Sequence, residues 1–361
     1  MKGRTLIALT VAALLAGIAA LWLGQASRPV SLAGGDYFYP GFDQQINEVS
    51  TIRLLSSDEA SGITLVRKDN GWVVQEKSGH AADAGAIRNL LLKLAEARVL
   101  ESKTSNPALY PRLGVEDVSG ESGSGVLLEI EGPTPPTQLI IGNIETRAGS
   151  GTYVRTQGES GSYLINKELQ PKRQAQEWLD RQLLDISPEM IRTVTIRHSD
   201  GEIVRLLGID GHLALATIPE GRELSSPAAT SPIGRGLENL RLEDVMPAAQ
   251  FDAGDPLAVV SYQLIDGRLI TLRAWQIEND RYIALELGMA MEDQDPVSGG
   301  VAQSDGEQAS DAESQTARAD VEQVARDSEQ LAGWIYRISV PRYEQLVRRS
   351  EDLLRPLPDT Q

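Results

Sequence analysis

The chain has 361 residues, enough for about two or three domains with cores of their own. A formal charge of -17 argues against a nucleic-acid surface, which needs clustered Lys and Arg, and the lack of cysteine removes disulfides, thiolate metal sites and thiol nucleophiles. Only three histidines are present, His80, His198 and His212, so a multi-histidine metal centre would need nearly all of them; no cofactor is expected.

Lys2 and Arg4 open the chain, and Thr5 to Ser27 then carries no charge, with an apolar body from Leu6 to Leu23. At about 1.5 Å rise per residue such a stretch can cross the roughly 30 Å hydrocarbon core of a bilayer. A cleaved signal peptide is the competing reading, but signal cores are usually shorter. Residues 1–27 are therefore expected to be an N-terminal transmembrane anchor. The basic start places the N-terminus in the cytoplasm and the bulk of the chain in the periplasm, a single-pass inner-membrane topology. Residues 28–45 read as a juxtamembrane linker, whose aromatic run Tyr37, Phe38 and Tyr39 is a candidate partner-binding element.

From residue 46 the pattern is regular. A strand around Ile52 and Leu54 is followed by two strand-like runs, Ile63 to Arg67 and Trp72 to Val74, joined by Lys68-Asp69-Asn70-Gly71, a tight-hairpin sequence. Asp83 is placed to cap a helix whose residues Ile87, Leu90, Leu91 and Leu94 form one apolar face. The stretch Lys103 to Val115, with Pro107, Pro111 and Gly114, predicts a compact connector with apolar anchors. Four short runs between turn residues follow, near 126–130, 138–142, 153–155 and 162–165, and predict an antiparallel meander. A helix over Lys172 to Leu184, with Trp178, Leu179 and Leu183 on its apolar side, closes this first module at 187.

The same order then recurs over 188–357. Ile191 to Arg197 echoes the first strand, and 203–207 with 212–216 repeats the hairpin. Ser231-Pro232 starts a helix carrying Ile233, Leu237 and Leu240, and strands follow at 259–264, 269–275 and 281–287. Gly333 to Ile338 answers Gly161 to Ile165, and a helix over Tyr343 to Leu354 answers the one containing Trp178. The connector Lys103 to Val115 has no counterpart. Residues 292–329 break the symmetry, with eleven acidic residues against Arg318 and Arg326, and predict a disordered acidic insert. The fold class expected is thus α+β: a transmembrane helix, then two tandem diverged modules, each an antiparallel sheet with packed helices.

No motif announces chemistry. Gly120-Glu121-Ser122-Gly123-Ser124 and Gly158-Glu159-Ser160-Gly161-Ser162 each flank a serine with glycines, but a serine nucleophile needs a histidine base and an orienting carboxylate, and polar turns explain both stretches. Glu129, Glu131 and Asp185 are the carboxylates that a glycoside hydrolase would draw on, although strand alternation and capping account for each. Neither a phosphate-binding loop nor a dinucleotide fingerprint occurs.

Several motifs in order carry a family resemblance: Gly71-Trp72-Val73-Val74, Ala82-Asp83-Ala84, Lys103-Thr104-Ser105-Asn106-Pro107, Tyr110, Arg112-Leu113-Gly114-Val115, Gly151-Thr152-Tyr153-Val154-Arg155 and Trp178-Leu179-Asp180-Arg181. The stretch 48–210 resembles the DUF4340 family of bacterial envelope proteins, and the rest does so weakly. The resemblance implies a single-pass protein that accompanies a gliding-motility-type ABC transporter, with the permease or the auxiliary membrane subunit as partner. It transfers no catalytic residue. The expectation is a non-enzymatic accessory subunit, a binding scaffold, that contacts its partner through Lys103, Asn106, Tyr110 and Arg112, with Tyr37, Phe38 and Tyr39 second. An envelope enzyme acting on polysaccharide through paired carboxylates, and a plain structural spacer, are the alternatives.

Overall fold

The computed structural model describes residues 35–57, 59–118, 123–133, 137–146, 150–209, 211–290, 328 and 331–357. The chain divides into two compact units between Trp178 and Leu179.

The first unit is built on nine strands: β1 (Thr51–Ser56), β2 (Glu59–Lys68), β3 (Gly71–Val74), β4 (His80–Ala81), β5 (Val99–Ser102), β6 (Val126–Glu131), β7 (Thr137–Glu145), β8 (Gly151–Thr156) and β9 (Ser162–Ile165). They form one antiparallel sheet in the order β4-β3-β2-β1-β6-β7-β8-β9-β5. Arg67 pairs with Trp72 and Lys68 with Gly71, so Asp69 and Asn70 make the hairpin loop and only Gly71 takes a positive φ, 120°. The meander β6 to β9 pairs strand by strand as its turn spacing predicts. Helix Ala84–Ala95 is capped by the Asp83 side chain, which accepts from the Ala86 amide at 2.9 Å. Its residues Ile87, Leu90, Leu91 and Leu94 are all buried, each contributing about 1.5–3 kcal/mol by leaving water. Residues 35–45 belong to this fold rather than to a linker. Gly35 and Phe38 donate to Val99 and Ala97, Val99 returns a bond to Asp36, and Phe38 and Phe42 are buried.

The second unit carries β10 (Gln182–Leu184), β11 (Ile191–His198), β12 (Ile203–Ile209), β13 (His212–Leu215), β14 (Arg222–Leu224), β15 (Leu240–Arg241), β16 (Asp244–Pro247), β17 (Ala258–Leu264), β18 (Arg268–Ile277), β19 (Asp280–Met289), β20 (Trp334–Ile338) and β21 (Leu354–Pro356). Its main sheet runs β13-β12-β11-β17-β18-β19-β20-β16. Remove β4, and the first sheet has the same order. The registers agree as well: Leu54 pairs with Leu128, and Leu128 with Leu139, as Ile196 pairs with Val260, and Val260 with Leu272. Small two-stranded sheets join β10 to β15 and β14 to β21.

The helix content is lower than the α+β expectation. Antiparallel sheet dominates both units, and after Ala84–Ala95 the longest described helix is Val340–Leu346. The helix expected over 172–184 is instead a 3-10 turn, Ala175–Trp178, followed by β10. Trp178 is buried with its indole N–H donating to the Lys172 carbonyl, and the Asp180 side chain accepts from the Gln182 amide, a local bond that competes with helix continuation. The second-unit helix shrinks to Ser231–Gly234 and a 3-10 turn Arg235–Leu237, ended by Asn239 at φ 48°, although Ile233, Leu237 and Leu240 are buried as their spacing suggests. The helix expected over 343–354 breaks after Leu346. There Arg349 turns out to ion-pair with Asp200 and Glu202 at 2.7 Å, and Glu202 accepts from the Ser350 amide.

The membrane expectation is also corrected. Among the described residues no helix is long and apolar enough to cross a membrane, so the transmembrane helix in the fold class and the single-pass inner-membrane localisation find no support. Residues 1–27, on which that reading rested, lie outside the described residues, as do 292–327 of the acidic insert.

Candidate functional site

The connector from Lys103 to Val118 lies on the face of the first sheet that carries Leu127 and Ile140. Asn106 caps a 3-10 turn, Pro107–Leu109, by accepting from the Ala108 amide at 3.1 Å. The helical turn Tyr110–Leu113 follows and stops at Gly114, whose φ is 70°. Tyr110 and Val115 are buried against Leu127 of β6 and Ile140 of β7, with Leu55, Leu113, Val118 and Tyr153 around them. Two strand glycines permit this fit. A Cβ on Gly142 would run into the Leu113 carbonyl, and one on Gly125 into the Gly114 carbonyl, so the connector backbone rests directly on the sheet.

Arg155 on β8 fastens the arrangement. Its side chain is 3% exposed and each of its three nitrogens donates a hydrogen bond. Nε donates to the Val115 carbonyl at 2.8 Å, Nη1 to the Glu159 carbonyl at 2.9 Å and Nη2 to the Asp117 carboxylate at 2.5 Å. The guanidinium also lies 4.6 Å from the Tyr110 ring centroid, and the Tyr110 hydroxyl donates to the Ser160 carbonyl at 2.7 Å. A buried cation held this way makes the connector part of the core.

The seven expected contact residues accordingly separate. Tyr110 and Phe38 are buried, at 6% and 5% exposure; Phe38 meets Tyr163 edge-on. Tyr39 is half-buried beside Phe38, and burial pushes its hydroxyl pKa upward. Tyr37 is exposed with the Arg98 guanidinium 3.8 Å from its ring centroid. Lys103 is half-buried and paired with Glu101 at 2.6 Å. Asn106 and Arg112 are exposed, and Leu109 stands between them at 38%. The surface that remains is Asn106, Leu109 and Arg112, carried on a fixed turn. Arg155, which does the fastening, was visible only as part of a motif; its hydrogen-bond partners lie up to 40 positions away in the chain.

The residues considered for chemistry have structural roles. Glu129 accepts from the Gln138 side chain, Glu131 pairs with Arg53, and Asp185 accepts from the Asn239 amide. Ser162 is buried and donates to the Thr104 carbonyl, while Ser160 lends its carbonyl to Tyr110. Ser122 lies outside the described residues. His198 is buried, whereas His80 and His212 sit on β4 and β13. Among the described residues no group of His, Asp and Glu could hold a metal ion.

A family model described as a domain of unknown function, DUF4340, matches residues 72–259, a little over half of the chain. The match begins in β3 of the first unit and ends in β17 of the second. No curated protein and no solved structure matches.

Proposed function

Since the chain belongs to the DUF4340 family, whose model carries no assigned activity, we propose that it acts through binding, as a non-enzymatic scaffold accessory to an ABC-type transporter. One observation supports the reading: the connector presents Asn106, Leu109 and Arg112 on a turn that Arg155 and Tyr110 lock to the sheet. A surface held in advance binds without the ordering cost that a free loop would incur. The apolar Leu109 between a polar and a cationic neighbour suits a protein partner, with Leu109 as anchor and Arg112 at the rim. Co-purification from gently solubilised membranes is the test. The wild-type chain should bring down a transporter ATPase and permease, and the double substitution Leu109→Asp, Arg112→Glu should release them while leaving the melting temperature unchanged. Crosslinking that yields the chain alone would refute the reading.

A further inference from the structure

The duplication offers a way to ask what the second sheet lacks. With the strand registers aligned, Ile140 and Arg155, a directly facing pair under the first connector, correspond to Arg273 and Ala284, which also face each other. Gly142 and Gly125 correspond to Trp275 and Leu257. The second unit's shorter connector therefore cannot lie flat on its sheet, because the indole occupies the place where the Leu113 backbone rests in the first unit. It makes a 3-10 turn, Ala248–Gln250, and sets Phe251 against Trp275 and Tyr282, with ring centroids 5.3 Å apart in each case. The Gly254 carbonyl accepts from the Trp275 indole at 3.0 Å.

Above the Arg273–Ala284 pair, a cleft of about 470 Å³ remains open, walled by Phe251, Trp275 and Trp334. Within it Arg273 is held in plane by a two-pronged ion pair with Glu286, 2.6 and 3.1 Å, and its side chain stays 44% exposed. Among the described residues no aromatic ring lies on the Arg273 guanidinium, whereas the Arg155 guanidinium carries Tyr110. We propose that this cleft binds an aromatic side chain of a partner polypeptide, stacked on Arg273 as Tyr110 is stacked on Arg155. The chain's own first unit shows the occupant that such a site takes: a tyrosine at the tip of a short turn. Glu286 plays the part of Asp117, fixing the guanidinium so that its flat face is available. The site lies wholly in the second unit and does not depend on the first-unit surface or on the transporter.

The test uses the full chain and two capped amino acids, acetyl-tyrosine amide and acetyl-leucine amide, with the tryptophan indole N–H signals followed by NMR. Acetyl-tyrosine amide should shift the Trp275 and Trp334 signals saturably and leave Trp72 and Trp178 in place. Acetyl-leucine amide should bind several-fold more weakly. Arg273→Gln should lose most of the preference for tyrosine, and Ala284→Trp, which fills the cleft, should abolish the shifts; an unchanged far-UV spectrum confirms that each variant is folded. Equal binding of the two probes, an unaffected Arg273→Gln variant, or no saturable shift overturns the proposal. Shifts that emerge only after deletion of residues 291–327 would assign the cleft to the chain itself. Shifts that grow with protein concentration alone would assign it to a second copy. Either outcome also overturns a separate partner.

Discussion

The two sheets share strand order and register but treat their second faces differently. In the first unit the face over Leu127 and Ile140 is closed by the chain's own connector, seated on Gly125 and Gly142 and fastened by Arg155. In the second, Trp275 and Leu257 stand where those glycines would be, and the arginine has moved to the opposite strand as Arg273, out to the surface. One backbone plan therefore gives a closed core in one copy and an aromatic-walled cleft in the other. The difference rests on three or four side chains, and glycine in a strand is informative here because it marks where another backbone comes close.

Substitutions that exchange those side chains should break the comparison. Gly142→Trp, which gives the first unit the second unit's residue, should have the largest effect. With no room beneath the Leu113 and Gly114 carbonyls, the connector must lift, at a cost of more than about 3 kcal/mol read by urea unfolding. Arg155→Ala should cost about 2–4 kcal/mol, because the Val115 and Glu159 carbonyls lose their donor and Tyr110 its stacking partner. Arg155→Met, which refills the space, should cost less. Tyr110→Phe removes the hydroxyl bond to Ser160 and should cost about 1 kcal/mol. Arg273→Ala, which removes the arginine that the second unit carries on the facing strand, should change stability by less than about 0.5 kcal/mol, since its ion pair is exposed.

Titration reaches both units, since buried tyrosine hydroxyls in each have raised pKa values. The Tyr153 hydroxyl donates to Glu145, and this bond, with burial and the nearby charges of Glu145 and Glu101, pushes its pKa up to about 12. A folded pKa above the unfolded value of about 10 means that the stabilisation is complete below pH 10 and is lost as pH rises through 12. The first unit should weaken in that window, and Tyr153→Phe should reduce the dependence, the remainder belonging to the buried Tyr39 hydroxyl. In the second unit, burial alone would raise the Glu202 carboxyl, but the Ser350 amide and side chain and Arg349 outweigh it and hold it below its ordinary value. Asp200 is lowered by the Glu202 amide and by Arg349. Their contribution is present above about pH 4 and declines as pH falls through the depressed values. Acid should thus loosen the 198–202 turn from residues 349–352, a loss that Glu202→Gln should reduce and circular dichroism can follow.

Local signals were legible in the sequence. The Asp83 cap, the apolar face Ile87–Leu94, the hairpin and the meander each depend on neighbours a few positions apart, and the repeat of their order predicted the matching strand orders. What was not legible depended on distant partners. Apolar spacing correctly marked Trp178, Leu237 and Leu240 for burial, but the helices drawn were cut short, around Trp178 by a local Asp180 bond and over 343–354 by a distant one, where Glu202 captures Arg349 and Ser350. The site shared this limit. Asn106 and Arg112 were readable as polar residues on a turn, while Tyr110 read as a contact residue because nothing local reveals the Arg155 guanidinium beneath it. The cleft over Arg273 was invisible until the two sheets could be laid in register.

Hydrogen exchange of the two connectors tests this account most directly. If the first is part of the core, the amides of Leu109 and Val115, which donate to Asn106 and Tyr110, should be protected as long as those of β7, while residues 252–255 of the second connector exchange many-fold faster. Equal protection of the two, or rapid exchange at Leu109 and Val115, would contradict the claim that one face is closed and the other left open.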